Sequence, residues 1–406
     1  MSEAAPPALT EVPRVDLADE RFRTNPGTAF DLIRQQSWII QTLRGYEVLS
    51  YDVARQMCVD PRLDSIGPSY YENLAASEPI MWYATQASLP MIGGMRHDRI
   101  RGALQRGFTR RRIDSLRPRM RAVASGLIDR MADRNPFDLV ADFTHLYPLE
   151  VLCALMGVPE EDITRFSDWT VDLGLLARFP LTQHMARIDA AILGLRTYFR
   201  ELVELRRRQP GDDFVSTLLA AQTETGPLTE DELHGALLNL LFAGHDTTRY
   251  QFGWVVQLLL RHGEWERVCT EPGLVPGAIE EAMRLEPALH IMLRKAVDAV
   301  EYHGLTLPAG TLLAVNIYAA NRDPAMFPDP HRFDVTRANA HRHLGFGHGG
   351  HLCLGHALAR AEMAEALALF VRWLPDLRQA GDPDYPEGLS SMSGAERIPL
   401  TNHPQQ

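Results

Sequence analysis

Residues 345–356 read GFGHGGHLCLGH, and the sequence after Cys353, LGHALARAEMAEALALF, is strongly helical. Glycines at 347, 349, 350 and 355 let the backbone take conformations closed to other residues and approach a neighbouring surface closely. Cys353 falls at or near the N-terminus of the helix that follows, where unpaired amides and the positive end of the helix dipole favour thiolate over thiol. Any fold this chain adopts must present that loop, with one cysteine and three histidines (His348, His351, His356), to whatever it holds.

The rest of the chain narrows what that can be. With 406 residues, 45% of them hydrophobic, a large core can be buried. A net charge of −11 argues against general nucleic-acid binding, which needs a basic excess to neutralise phosphates. The N-terminal MSEAAPPALTEVP lacks the basic and apolar regions of a signal peptide, and no apolar run is long enough to span a membrane. A cytoplasmic protein with no membrane segment is expected. Cys58, Cys153, Cys269 and Cys353 form no CxxC pair, so neither a disulfide framework nor a four-cysteine zinc site is indicated; the first three read as small core residues.

Helical periodicity dominates from about residue 97 to 285. Short strands are expected within 294–316, where apolar alternation is broken by HisGly and ProAlaGly turns, near 38–51, and in the tail after about 380. No repeat or linker divides the chain, so one mainly α domain with a smaller β portion is expected over 1–406, its first 15 residues loose. The best-defined helix runs from about 230 to 262, with Thr229 and Glu232 at capping-box spacing. Its buried face is interrupted by AGHDTT, residues 243–248.

The loop around Cys353 admits three readings. It could be glycine-rich with incidental histidines. Zinc could use Cys353 with His351 or His348, but a structural zinc site needs four ligands and their paired spacing is missing. Haem needs a single axial thiolate, because the porphyrin nitrogens fill four positions, and one cysteine suffices.

FGHGGHLCLG (346–355) resembles the haem-binding signature of the cytochromes P450, with Phe346, Gly347, Gly349, His351, Cys353 and Gly355 at the required positions. EAMR (281–284) resembles the family's ExxR motif, with Glu281 and Arg284 one helical turn apart, and Arg332 in FPDPHRFD matches its third member. AGHDTT resembles the central-helix motif in which an acid and an alcohol stand over the haem. The resemblance covers about residues 97–360 and implies the P450 fold in a single haem-thiolate domain.

It also implies roles. Cys353 would ligate the iron of haem b and favour O–O bond cleavage, while Asp246 and Thr247 would deliver protons and Gly244 would open the helix. His97 and Arg101, Arg294 and His351 match propionate contacts. MIGGMRH before His97 departs from the turn common in bacterial relatives. With no flavin or iron–sulfur domain in the sequence, electrons would come from a ferredoxin and its reductase, and Arg99, Arg106, Arg110, Arg111 and Arg112 form a basic cluster that could steer an acidic partner.

The segment 69–92, with Tyr70, Tyr71, Met81, Trp82 and Tyr83, falls where the family places a loop over substrate. Tyr83, Asn239, Phe242, Ala243, Gly244, Leu289, His290, Ile291 and Met292 are candidate pocket residues. The expectation is a monomeric monooxygenase acting on a small to medium, partly apolar molecule. A haem-thiolate sensor, or an oxidase acting on a carrier-protein-bound intermediate, is the alternative.

Overall fold

The longest element determines how the others are arranged. The central helix, Glu230–Arg261, opens with the expected capping box: the Glu232 amide donates to Thr229 Oγ1 at 3.2 Å, and the Thr229 amide donates to Glu232 Oε2 at 3.0 Å. At about 1.5 Å per residue it spans the molecule, and Leu237, Leu238, Leu241, Val255, Val256 and Leu259 along it are fully buried. Helices Leu146–Met156, Ile163–Gly174, Met185–Arg208 and Val275–Leu285 pack around it. In this computed structural model the described residues are 9–402, except 133, 179, 222–225 and 387–389 and the side chains at 23 and 132.

The helix stays regular through AGHDTT. A Cβ at 244 would stand 3.0 Å from Leu152 Cδ2, a tight contact with the helix packed against this position.

The β portion forms one five-stranded sheet and two smaller ones. Strand order in the large sheet is Ile39–Thr42, Gly45–Val48, Leu312–Asn316, Ile291–Ala296, Leu63–Asp64, with only the second and third parallel. The HisGly turn appears as expected between Val300–Tyr302 and Leu305–Leu307, with His303 and Gly304 both at positive φ. Phe137–Asp138 and Leu377–Gln379 flank Pro399–Asn402. The N-terminal expectation is corrected in part. Residues 1–8 lie outside the described residues, but the Val15 amide donates to Gln41 O at 2.9 Å and Val12 is buried, so 9–15 are tied to the sheet edge.

A buried ion network joins the helix Val275–Leu285 to the segment that leads into the cysteine loop. Arg284 and Glu281, both fully buried, pair through two 2.8 Å hydrogen bonds, and Arg284 also donates to the carbonyls of Asn321, Pro330 and Arg332. The third member is Arg337, not Arg332. Arg337 Nε donates to Glu281 Oε1 at 3.0 Å, and its other nitrogens donate to Pro328 O, Asp329 O and Arg332 O. The Arg332 side chain is 69% exposed and only meets Asp334 at 3.8 Å. Arg332 contributes its carbonyl, because the tight turn at 328–332 directs its backbone inward.

The same helix grips the helix His356–Trp373. Arg360 donates to both oxygens of Glu280 (2.5 and 3.0 Å), and His343 Nε2 lies 3.2 Å from Glu280 Oε2. Burial raises the Glu280 pKa, but its hydrogen bonds to His343 and Arg360 outweigh this and hold it at about 2, below the usual 4.5.

Removing one member of the Glu281 network leaves charge buried without compensation, which costs about 3–5 kcal/mol. Arg337→Ala is expected to lower unfolding free energy by about 3 kcal/mol and Arg332→Ala by under about 0.5 kcal/mol, read by denaturant unfolding. Because Glu280 titrates lower folded than unfolded, its contribution is complete above pH 4.5 and fades as pH falls towards about 2. Glu280→Gln is expected to flatten the loss of stability measured by unfolding as the pH drops through that range.

Candidate active site

The cysteine loop is held at both ends. The Leu344 amide donates to Asn321 Oδ1 at 2.7 Å, and the Cys353 amide donates to Phe346 O at 2.8 Å. Between them Gly347 and Gly349 have φ of +73° and +71°, a region that side-chain-bearing residues avoid. The helix begins at His356 with Gly355 as its cap, so Cys353 lies just before it, as expected. Burial pushes the Cys353 thiol upward, while the Gly355 amide, Arg101 and Arg360 act in the opposite direction. The helix terminus therefore moderates a burial penalty and does not by itself yield a thiolate.

Four basic side chains expected at the propionates lie together beside this loop. The His97 and His351 rings are 4.1 Å apart between centroids, and Arg101 donates to Leu352 O at 2.7 Å. Burial first, then Arg294, His97 and Arg101, push His351 down to about 3. His97 Nε2 and Arg294 Nη2 are buried with no hydrogen-bond partner. Leaving such groups unpaired is costly, so the set suits anionic groups such as the two carboxylates of haem b.

Across from the loop, the central helix presents Ala243, which is exposed, and Thr247, which is half-buried, although His245, Asp246 and Thr248 beside them are buried. Ala243 and Thr247 form the open side of this stretch of helix. Thr247 Oγ1 donates to Ala243 O at 2.7 Å. Asp246 lies on the buried side: His245 Nδ1 and Arg249 Nε both lie 3.3 Å from its Oδ1, and a Cβ on Gly174 would collide with its other oxygen. Burial raises its pKa, but His245, Arg249 and His145 together hold it below the usual value.

The expected pocket residues divide. Phe242 packs edge-on against Tyr83 at 5.8 Å, and Asn239 Oδ1 on the same helix is buried without a partner. Leu289 bridges to Met392, a contact the sequence reading missed because residue 392 is distant in the chain. Met292 lies against Gly347, on the loop side. Ile291 is buried in the sheet opposite Asn316. The placement of His290 is corrected: it packs against Tyr318, 5.1 Å between centroids, and burial followed by Arg322 and Arg44 pushes it down to about 3. Gly244 belongs to the contact with Leu152.

Two histidines without an assigned role also find contacts: His348 Nε2 is 3.2 Å from Arg55 Nη2, and His356 Nδ1 is 3.2 Å from Arg360 Nη1. Sequence reasoning also missed Asn321 and Arg337. The signal for Asn321 was present as three polar residues, AsnArgAsp, following an apolar run; all three are buried.

The family profile described as Cytochrome P450 matches residues 89–272 and 273–376. This chain belongs to the cytochrome P450 family. It is 33% identical over 404 residues to cytochrome P450 107B1 of Saccharopolyspora erythraea, covering 96% of this chain and 98% of that one. It is 37% identical over 335 residues to the mycinamicin IV hydroxylase/epoxidase of Micromonospora griseorubida, covering 82% of each. Among solved structures it is similar to P450BioI in complex with an acyl carrier protein ligated with hexadec-9Z-enoic acid, with TM-score 0.85, 28% identity, and coverage of 94% of this chain and 100% of that one. The protein is thus a P450 monooxygenase whose cofactor is haem b and whose fold is that of its family. Among the described residues no helix is long and apolar enough to cross a membrane.

Arg294→Leu removes a buried cation that forms no ion pair among the described residues, Asp64 acting on it only at longer range. It is expected to leave the haem-free chain as stable or more so, while haem is lost more readily to an acceptor such as apomyoglobin. Thermal unfolding and the rate of Soret loss check the two halves.

Proposed function

We propose that Cys353 is the axial ligand of the P450's haem, that His97, Arg101, Arg294 and His351 hold its propionates, and that Thr247 and Asp246 supply protons on the opposite face. The observation that carries this is the pairing of an open helix face at Ala243 and Thr247 with two buried nitrogens without a hydrogen-bond partner, His97 Nε2 and Arg294 Nη2, beside the cysteine loop. Haem supplies the oxygen-activating chemistry when bound. The Thr247 hydroxyl now donates to Ala243 O and reaches the open side of the helix by rotating away from it. Asp246 is a carboxylate held beside Arg249; once released from it and protonated from solvent, it passes that proton on to the Thr247 hydroxyl.

The substrate is a small to medium, partly apolar organic molecule placed between Phe242, Ala243, Leu289 and the unpartnered Asn239 Oδ1, which favours a hydrogen-bond donor on the substrate. A carrier-bound substrate is the second reading, favoured by the likeness to P450BioI, which was solved with an acyl carrier protein.

P450s take electrons from redox partners. We assign a ferredoxin with its reductase to this P450, acting in the cytoplasm on a monomer. A cleft of about 320 Å³ outside the cysteine loop is lined by Arg55, His341, Arg342, His348, His356 and Arg360 and contains no carboxylate. That cleft suits an acidic partner through Arg55 and Arg342, since Arg360 is held by Glu280; of the expected cluster, Arg99 is bound to Glu232 and Arg112 to Asp212.

Displacement of iron-bound water, followed spectrally with free small molecules and with acyl-carrier conjugates, separates the two substrate readings. Thr247→Ala is expected to cut product per electron pair by about 10²-fold with ligand-induced spectral changes intact. Unchanged function in that variant would point to a sensor.

A further inference from the structure

The acid on the central helix is connected to the far end of the chain. Arg249, which faces Asp246 Oδ1 at 3.3 Å, also meets Glu396 Oε2 at 3.3 Å and donates to the Tyr250 hydroxyl at 2.6 Å. That hydroxyl donates to Glu396 Oε1 at 2.6 Å, and Arg178 pairs with the same carboxylate. Glu396 ends the segment that carries Met392. The Ser393 amide donates to Ala288 O at 2.8 Å, the His290 amide to Ser391 O at 3.0 Å, and Trp254 Nε1 to Ser393 O at 3.0 Å. The segment that touches Leu289 through Met392 is therefore anchored to the central helix, and its carboxylate competes for the arginine that holds Asp246.

We propose that Glu396 is a positioning residue for Asp246: by sharing Arg249 it sets how firmly the acid is held, and it ties that grip to the segment 390–396 that reaches the substrate pocket. This rests on reading Asp246 as the proton-delivering acid. The charge balance supports it. Two arginines, Arg178 and Arg249, face two carboxylates, Asp246 and Glu396. Removing the charge of Glu396 gives Arg249 wholly to Asp246, whereas removing Arg249 leaves Asp246 with only imidazoles. The groups facing Asp246 are His245 and Arg249 on its own helix and His145 ahead of the helix Leu146–Met156, with Gly174 bringing no charge. Those facing Arg249 are Asp246, Tyr250 and Glu396.

The test uses the full chain reconstituted with haem. Infrared difference titration, with Asp246→Asn identifying the carboxyl band, reads the pH at which Asp246 protonates. Glu396→Gln, which keeps a side chain able to bond Tyr250 and Arg178, is expected to lower that pH by about one unit, and Arg249→Gln to raise it by about one unit or more. Shifts of opposite sign are a signature that general loosening cannot produce. Shifts of the same sign, or an Asp246 titration unmoved in Glu396→Gln, overturn the proposal. Full oxygenation by Asp246→Asn overturns the reading of the acid instead, so the two failures are told apart.

Discussion

The carboxylate of Glu281 is the constraint on which the site depends. It is fully buried and bound by Arg284 on its own helix and by Arg337 more than fifty residues later. A buried carboxylate is tolerated only when its charge and lone pairs are all met, so the chain between these residues must return to one place. Arg284 and Arg337 use their remaining nitrogens on the carbonyls of 321 and 328–332, fixing the segment that enters the cysteine loop. Asn321, held in the same knot, receives the Leu344 amide. The position of Cys353 is thus set by charge satisfaction some thirty residues upstream.

The opposite wall is set by packing. The central helix can lie close to its neighbours because Gly235 meets the backbone of Gln86 and Ala87, where a side chain would push the layers apart, and Gly244 lies tightly against the Leu152 side chain. Close packing on those sides leaves Ala243 and Thr247 on the open one. Asp246, one residue along the helix from Thr247, consequently faces the buried side, where it can remain a carboxylate only because His245 and Arg249 attend it.

Much of the site was legible in the sequence because it is local. The loop glycines, Cys353 and the helix after it are consecutive, Glu281 and Arg284 are one turn apart, and Thr229 with Glu232 announced the start of the central helix. Arg332 and Arg337 show where such reading stops. Both are arginines near the right place, and which one turns inward depends on a turn whose carbonyls are oriented by Arg284. His290, just ahead of its strand, and Met292 within it meet Tyr318 and the cysteine loop respectively, since what covers each comes from elsewhere in the chain.

By itself, the sequence determined the chemistry available: one cysteine in a glycine-rich loop, an acid beside an alcohol on a long apolar helix, and basic residues enough for an anionic cofactor. Those properties belong to residue types at short spacing and need no knowledge of the fold. Only the tertiary structure decided which buried charges meet. Arg337 on Glu281, Glu396 on Arg249, and Arg294, its Nη2 unpaired, beside His97 and His351 follow from long-range packing in a medium where an unpaired charge is costly, and no local pattern encodes that pairing.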